Sequence, residues 1–88
     1  MSDPGAKLAR MANQIGSFFA SEPDHALALE GIAGHLRRFW EPRMRRQLLL
    51  WLDETGGSEL SPLVLEAIQT HRERLSTPTP RNPAPAAR

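Results

Sequence analysis

The chain has 88 residues, no cysteine and a formal net charge of +1. That length allows one small domain. The missing thiols exclude disulfides, thiolate metal sites and iron–sulfur ligation. The positive balance arises late in the sequence: Arg81 and Arg88 lie beyond residue 75, and the remainder carries nine Lys/Arg against ten Asp/Glu. A protein that coats nucleic acid by global charge is therefore not expected.

Hydrophobic spacing along the chain has helical period throughout, with no sustained alternation. The first helix is expected from about Pro4 to Ala20, with Leu8, Met11, Ala12, Ile15 and Phe19 on one stripe and Phe18 at its edge. Ser21-Glu22-Pro23-Asp24 ends it, with Ser21 as the expected N-cap of the next and Asp24 at its third position. The second helix is expected from about Pro23 to Trp40, sharing a face among Leu29, Ile32, Ala33, Leu36, Phe39 and Trp40, while Leu27 falls off it. Pro42 ends that helix, because the residue before a proline resists helical geometry, and it suits the first turn of a third. The third helix is expected to reach Glu54 and stop at Gly56-Gly57, with Met44, Leu48, Trp51 and Leu52 as its core face. The fourth begins at Ser61-Pro62, a cap followed by proline, with Leu60 and Leu65 spaced as a hydrophobic staple and Leu63, Val64, Ala67, Ile68 and Leu75 buried. The expected fold is all-α: a small four-helix domain over residues 1–75 with short connections. Residues 76–88, STPTPRNPAPAAR, hold four prolines and no bulky apolar side chain, and are expected to form a flexible tail.

Surface-directed features exceed what such a bundle requires. Asn13 and Gly16 sit with Ala6, Ala9 and Ala20 in a small-residue seam opposite the Leu8/Ile15 stripe. The seam is either a harmless solvent face or a place for another backbone to approach, and Gly16 is informative because glycine costs about 1 kcal/mol in a helix interior. Leu49 and Leu50 point away from the Met44/Leu48 stripe, so either the third helix is nearly surrounded or these leucines face a partner. A short domain struggles to surround anything, which favours the partner. Between them lies the densest signal: Arg37, Arg38, Arg43, Arg45 and Arg46 surround Phe39 and Trp40 at the bend fixed by Pro42, with Glu41 the one local acid. Arginine and tryptophan are enriched at the energetic centres of interfaces. For the aromatics taken alone a core role is the favoured reading, whereas the arginines are expected to meet an acidic partner surface.

No catalytic or metal-binding constellation is present. His25, His35 and His71 lack helical metal-site spacing, and His71 reads as a core histidine. Ser58 and Ser61 belong to a turn and a cap, and Gly56-Gly57-Ser58 lacks the lysine and spacing of a phosphate loop. The longest apolar run, Leu48 to Leu52, is too short to cross a bilayer, and the opening MSDPGAKLAR lacks the pattern of a signal peptide, so no membrane partner is expected and the cytoplasm is the expected compartment.

Three blocks carry a family resemblance: Lys7 to Phe19 (KLARMANQIGSFF), Ile32 to Arg45 (IAGHLRRFWEPRMR) and Leu60 to Val64 (LSPLV). Together they resemble the delta subunit of NAD-dependent, molybdenum-containing formate dehydrogenases. The resemblance implies a non-catalytic accessory subunit without a cofactor of its own. It implies a complex whose large alpha subunit carries the molybdopterin centre and iron–sulfur clusters, and whose beta and gamma subunits carry flavin and further clusters and pass electrons to NAD. The expected role is docking on the large subunit to support assembly or stability of the cofactor-loaded enzyme. The alternative class is a small helical nucleic-acid-binding protein that uses the arginine corner.

Overall fold

The computed structural model describes residues 3–76, and the rest of the expected tail, residues 77–88, lies outside the described residues. Five helices occur among them: α1 (Pro4–Phe19), α2 (His25–Phe39), α3 (Pro42–Thr55), α4 (Pro62–Thr70) and α5 (Arg72–Ser76). The all-α expectation holds, with the fourth expected helix divided at His71, whose φ of −111° and ψ of 26° depart from helical values. Ser76, assigned to the tail from sequence, closes α5 instead.

The starts of α1 to α4 are each set by a short polar side chain or a proline. Asp3 accepts a hydrogen bond from the Gly5 amide at 3.0 Å, with Pro4 opening α1. Asp24, rather than Ser21, caps α2: its carboxylate accepts from the Leu27 amide at 3.2 Å, while Glu22 accepts from the Asp24 amide and holds the turn that leads in. Pro23 consequently lies in the turn. Glu41 precedes Pro42 in an extended conformation, and Ser61 accepts from the Val64 amide ahead of Pro62. α3 ends where Gly56 adopts a φ of 81°, a left-handed value that glycine takes without steric cost.

α1 packs mainly on α3, and α2 mainly on α4, with α5 wedged against α2, α3 and α4. The core combines Leu8, Ala9 and Ala12 of α1 with Leu29, Ile32 and Leu36 of α2, and these meet Leu48, Trp51 and Leu52 of α3 and Val64, Ala67 and Ile68 of α4. Leu75 of α5 completes it. Among the described residues, a His25–Glu66 hydrogen bond across α2 and α4 at 2.8 Å and a two-pronged Arg72–Asp53 ion pair joining α5 to α3 at 3.0 and 2.7 Å brace the outside. Both are solvent-exposed, so their contribution is small. Among the described residues no helix is long and apolar enough to cross a membrane.

The small-residue seam of α1 enters this internal packing, with Gly16 buried and Asn13 half-buried at the edge of a second concavity. A β-carbon on Gly16 would fall on Cγ2 of Val64, and one on Gly5 would fall on the Trp51 side chain. The close approach made possible by small residues is therefore used by the chain's own α3 and α4. Asn13 fastens the same seam: its Nδ2 donates to the Glu59 carbonyl at 2.8 Å, and its Oδ1 accepts from the Ser61 amide at 2.8 Å. One side chain thus fixes the α3–α4 connection against α1. Asn13→Ala is expected to cost about 1–2 kcal/mol, and Asn13→Asp to recover only the acceptor half. Chemical denaturation followed by circular dichroism measures both, and an unchanged midpoint in Asn13→Ala would show the bridge to be idle.

Candidate docking site

The arginine corner divides into one buried guanidinium and several on the surface. Arg45 is 2% exposed. Its Nη1 donates to the carbonyls of Trp40 at 2.7 Å, Arg37 at 3.0 Å and Leu36 at 3.4 Å, and its Nε donates to the Leu75 carbonyl at 3.2 Å. The first three all lie at the C-terminal end of α2, the negative end of its dipole; the Leu36 carbonyl also accepts from the Trp40 amide at 3.1 Å. Arg45 thus reaches back from α3 to close α2 and simultaneously holds α5. Burial, followed by the nearby charges of Arg37 and Arg46, lowers its pKa from the ordinary arginine value. A guanidinium remains protonated under such a shift.

This geometry corrects two expected partner contacts. Arg45 is occupied inside the domain. Leu49 is also buried, because α3 is covered on two sides, by α1 and by α5, so its apolar arc runs from Trp51 through Leu48 to Leu49. Leu50 alone falls outside that arc and is 58% exposed. It lines a shallow pocket with Asp3, Pro4, Gln47 and Glu54 near the start of α1. Phe39, expected on the core face of α2, is 65% exposed, whereas its neighbour Trp40 turns inward as the chain becomes extended after α2. Arg38, Arg43 and Arg46 are exposed and form no ion pair among the described residues, Arg37 is half-buried, and Pro42 is half-buried at the start of α3.

Two apolar concavities of similar size lie away from the Leu49/Leu50 face, one of about 510 Å³ lined by Asn13, Gly16 and the α3–α4 connection, and one that carries the aromatic residues. A groove of about 490 Å³ runs between the second half of α1 and the end of α2. Met11, Ile15, Phe18 and Phe19 supply one wall, and His35 and Trp40 the other. Phe19 is seated over Gly31, where a β-carbon would fall on its ring, so this glycine lets α2 accept the aromatic wall of α1. Phe18 stands edge-on to Phe19 with centroids 5.1 Å apart and is 77% exposed. Phe39 leans on His35 at 4.8 Å, and the Arg38 guanidinium lies 6.0 Å from the Phe39 ring centre. The groove therefore has Phe18 in its lining and Phe39 beside it, with Arg38 next to Phe39.

Of the residues expected to meet a partner, the structure brings together Arg38, Phe39 and Trp40 at this groove. It leaves Leu50 on another face, buries Gly16, Arg45 and Leu49, and ties the half-buried Asn13 to the α3–α4 connection. Met11, Ile15 and Phe19, expected on the core stripe of the first helix, do pack against the core but are only partly buried, and with Phe18 from the edge of that stripe they line the groove. Their signal was the width of that stripe together with the small-residue seam: a helix apolar on both sides cannot cover all of it in a domain of this size.

No curated protein and no solved structure matches this chain. The family model described as NADH-dependent formate dehydrogenase delta subunit FdsD matches residues 7–68, which contain both the groove and the corner. The chain belongs to the FdsD family, the delta subunits of NADH-dependent formate dehydrogenase.

Proposed function

We propose that this delta subunit is a non-catalytic accessory chain that docks on the large catalytic subunit of the formate dehydrogenase and supports assembly or stability of the cofactor-loaded enzyme. The observation that carries the reading is a pair of solvent-exposed phenylalanines at an apolar groove, Phe18 in its lining and Phe39 beside it against His35. Large aromatics at such exposure are costly in an isolated soluble domain and are characteristic of recognition surfaces. The neighbouring arginines add charge suited to an acidic surface. Family membership supplies the partner class, since a delta subunit implies association with the catalytic subunits of the complex.

Docking of this kind acts by mass action. A subunit that binds the folded, loaded form more tightly than the unloaded or unfolded one shifts the population towards the loaded form, by an amount that grows with its concentration over its dissociation constant. The chemistry of each loaded active site is untouched. Cells lacking this chain are therefore expected to yield about three- to tenfold less active enzyme, corresponding to about 1 kcal/mol of lost differential binding. The kcat/KM per bound molybdenum should remain that of the complete complex. The check is purification with and without the chain, followed by molybdenum content and formate-dependent NAD reduction. Equal yield and equal lifetime without the chain would overturn the assembly role, and an altered kcat/KM per molybdenum would place the chain in the chemistry instead.

A further inference from the structure

Resting on that accessory reading, the structure narrows the docking surface to one groove and one kind of occupant. We infer that the α1/α2 groove seats the apolar ridge of an amphipathic helix of a catalytic subunit, and that carboxylates flanking this ridge meet Arg38, Arg43 and Arg46.

The groove's chemistry selects a protein side-chain ridge. Its walls are methionine, isoleucine and aromatic rings, and the polar side-chain groups of its lining are Gln14, the His35 imidazole and the Trp40 indole N–H. Small-molecule sites orient their ligand by several convergent polar groups, which are lacking here. A trough between two helices, open to solvent along its length, instead suits anchors spaced i, i+3, i+4 and i+7 on a docked helix. Phe18 in the lining and Phe39 beside it exclude water around such anchors, an arrangement that concentrates binding energy.

Charge decides among possible occupants. Arg38 stands over Phe39, and Arg43 and Arg46 follow on the first turns of α3 beyond Trp40, none with an ion-pair partner among the described residues. A second copy of the chain would bring two such cationic rims into one interface, which opposes association. Residues 77–88 carry Arg81 and Arg88 and no acid, so they too are mismatched. A helix with Asp or Glu beside its apolar ridge satisfies both the walls and the rim.

The absence of cysteine makes a direct test available. Gln14→Cys, labelled with a benzophenone maleimide, places a photo-crosslinker at the groove edge of an otherwise thiol-free chain. Irradiation after mixing with purified enzyme depleted of the delta chain, followed by peptide mass spectrometry, should link it to one acid-flanked apolar helix of a catalytic subunit. Phe18→Ser and Phe39→Ser are each expected to weaken binding about thirtyfold, with little change in melting because both side chains are exposed. Arg38→Glu should slow association and flatten its salt dependence. A crosslink to residues 77–88, to a second copy, or to a segment without acids overturns the proposal. So does wild-type affinity in Phe18→Ser and Phe39→Ser while the wild-type chain still binds, a result that would leave the accessory reading standing. Failure of the wild-type chain to bind depleted enzyme at all would instead overturn the accessory reading, and this inference with it.

Discussion

Arg45→Met is expected to lower the stability of the domain by about 3–5 kcal/mol and its melting temperature by about 15 °C or more. Methionine can fill much of the aliphatic volume but donates nothing. The carbonyls of Leu36, Arg37 and Trp40 at the end of α2, and of Leu75 in α5, would lose the donors that reach them now. A buried acceptor stripped of its partner bears its full desolvation cost, about 1–3 kcal/mol for a single group; this applies to the Trp40 and Leu75 carbonyls, whereas that of Leu36 keeps the Trp40 amide. A domain of this size commands only about 3–5 kcal/mol in total without staples, so the variant should be largely unfolded when isolated. Arg45→Lys is the informative control. It keeps the charge near the helix dipole but cannot extend Nε and Nη1 towards two helices at once, so it should recover only part of the loss. Thermal and urea denaturation by circular dichroism measure both variants. Wild-type melting in Arg45→Met would mean that solvent or a repacked side chain satisfies those carbonyls, and that the corner is not held by Arg45.

The second large effect is expected at Trp51, where α1 crosses α3. Trp51→Ala should cost about 3–5 kcal/mol, the transfer cost of a buried indole plus that of the cavity it leaves. The indole lies under the start of α1 because Gly5 has no β-carbon to exclude it. That contact makes the effect separable from a general loss of hydrophobicity. Gly5→Val in the wild-type background forces its side chain onto the indole and should cost about 1–3 kcal/mol. In the Trp51→Ala background the same substitution enters vacated space, so the double variant should be more stable than the sum of the single changes predicts, by about 1 kcal/mol or more. Strict additivity would show that Gly5 and Trp51 do not share a packing site.

Both effects bear on how the docking surface is presented. Arg45 fixes the bend between α2 and α3, and with it the direction of Phe39 and the placement of Trp40 on the groove wall. The α1–α3 crossing at Gly5 and Trp51, together with the Asn13 bridge, fixes α1, whose second half forms the opposite wall. Damage to either should therefore weaken partner binding indirectly. Phe18→Ser and Phe39→Ser act on the surface alone, so comparing melting with binding separates the two routes.

The sequence by itself determined the elements and their punctuation. Prolines at 4, 42 and 62, the stop at Gly56, and the Ser61 cap follow from local geometry that each residue carries wherever it is placed. The three blocks that resemble the delta-subunit family were equally legible, and the family model covers them. The cap of α2 was misplaced by three residues, since both Ser21 and Asp24 can accept from a helix start and the hydrogen bond between Glu22 and the Asp24 amide selects the latter.

Only the tertiary structure decided which residues face outwards. Arg45 lies three, four and seven residues before Leu48, Leu49 and Leu52, a spacing that places it in the middle of the buried arc. Its charge argued for solvent until the open end of α2 and the Leu75 carbonyl were seen to surround it. Leu49 and Leu50 are adjacent and chemically identical, and the break at His71 that lets α5 lie on α3 distinguishes the buried one from the exposed one. Phe39 and Trp40 are separated in the same way, by an extended residue at the end of α2. Periodicity reports how many faces of a helix are apolar. Which of those faces the chain covers itself depends on contacts between residues far apart in sequence, and the groove between α1 and α2 is part of what it leaves uncovered.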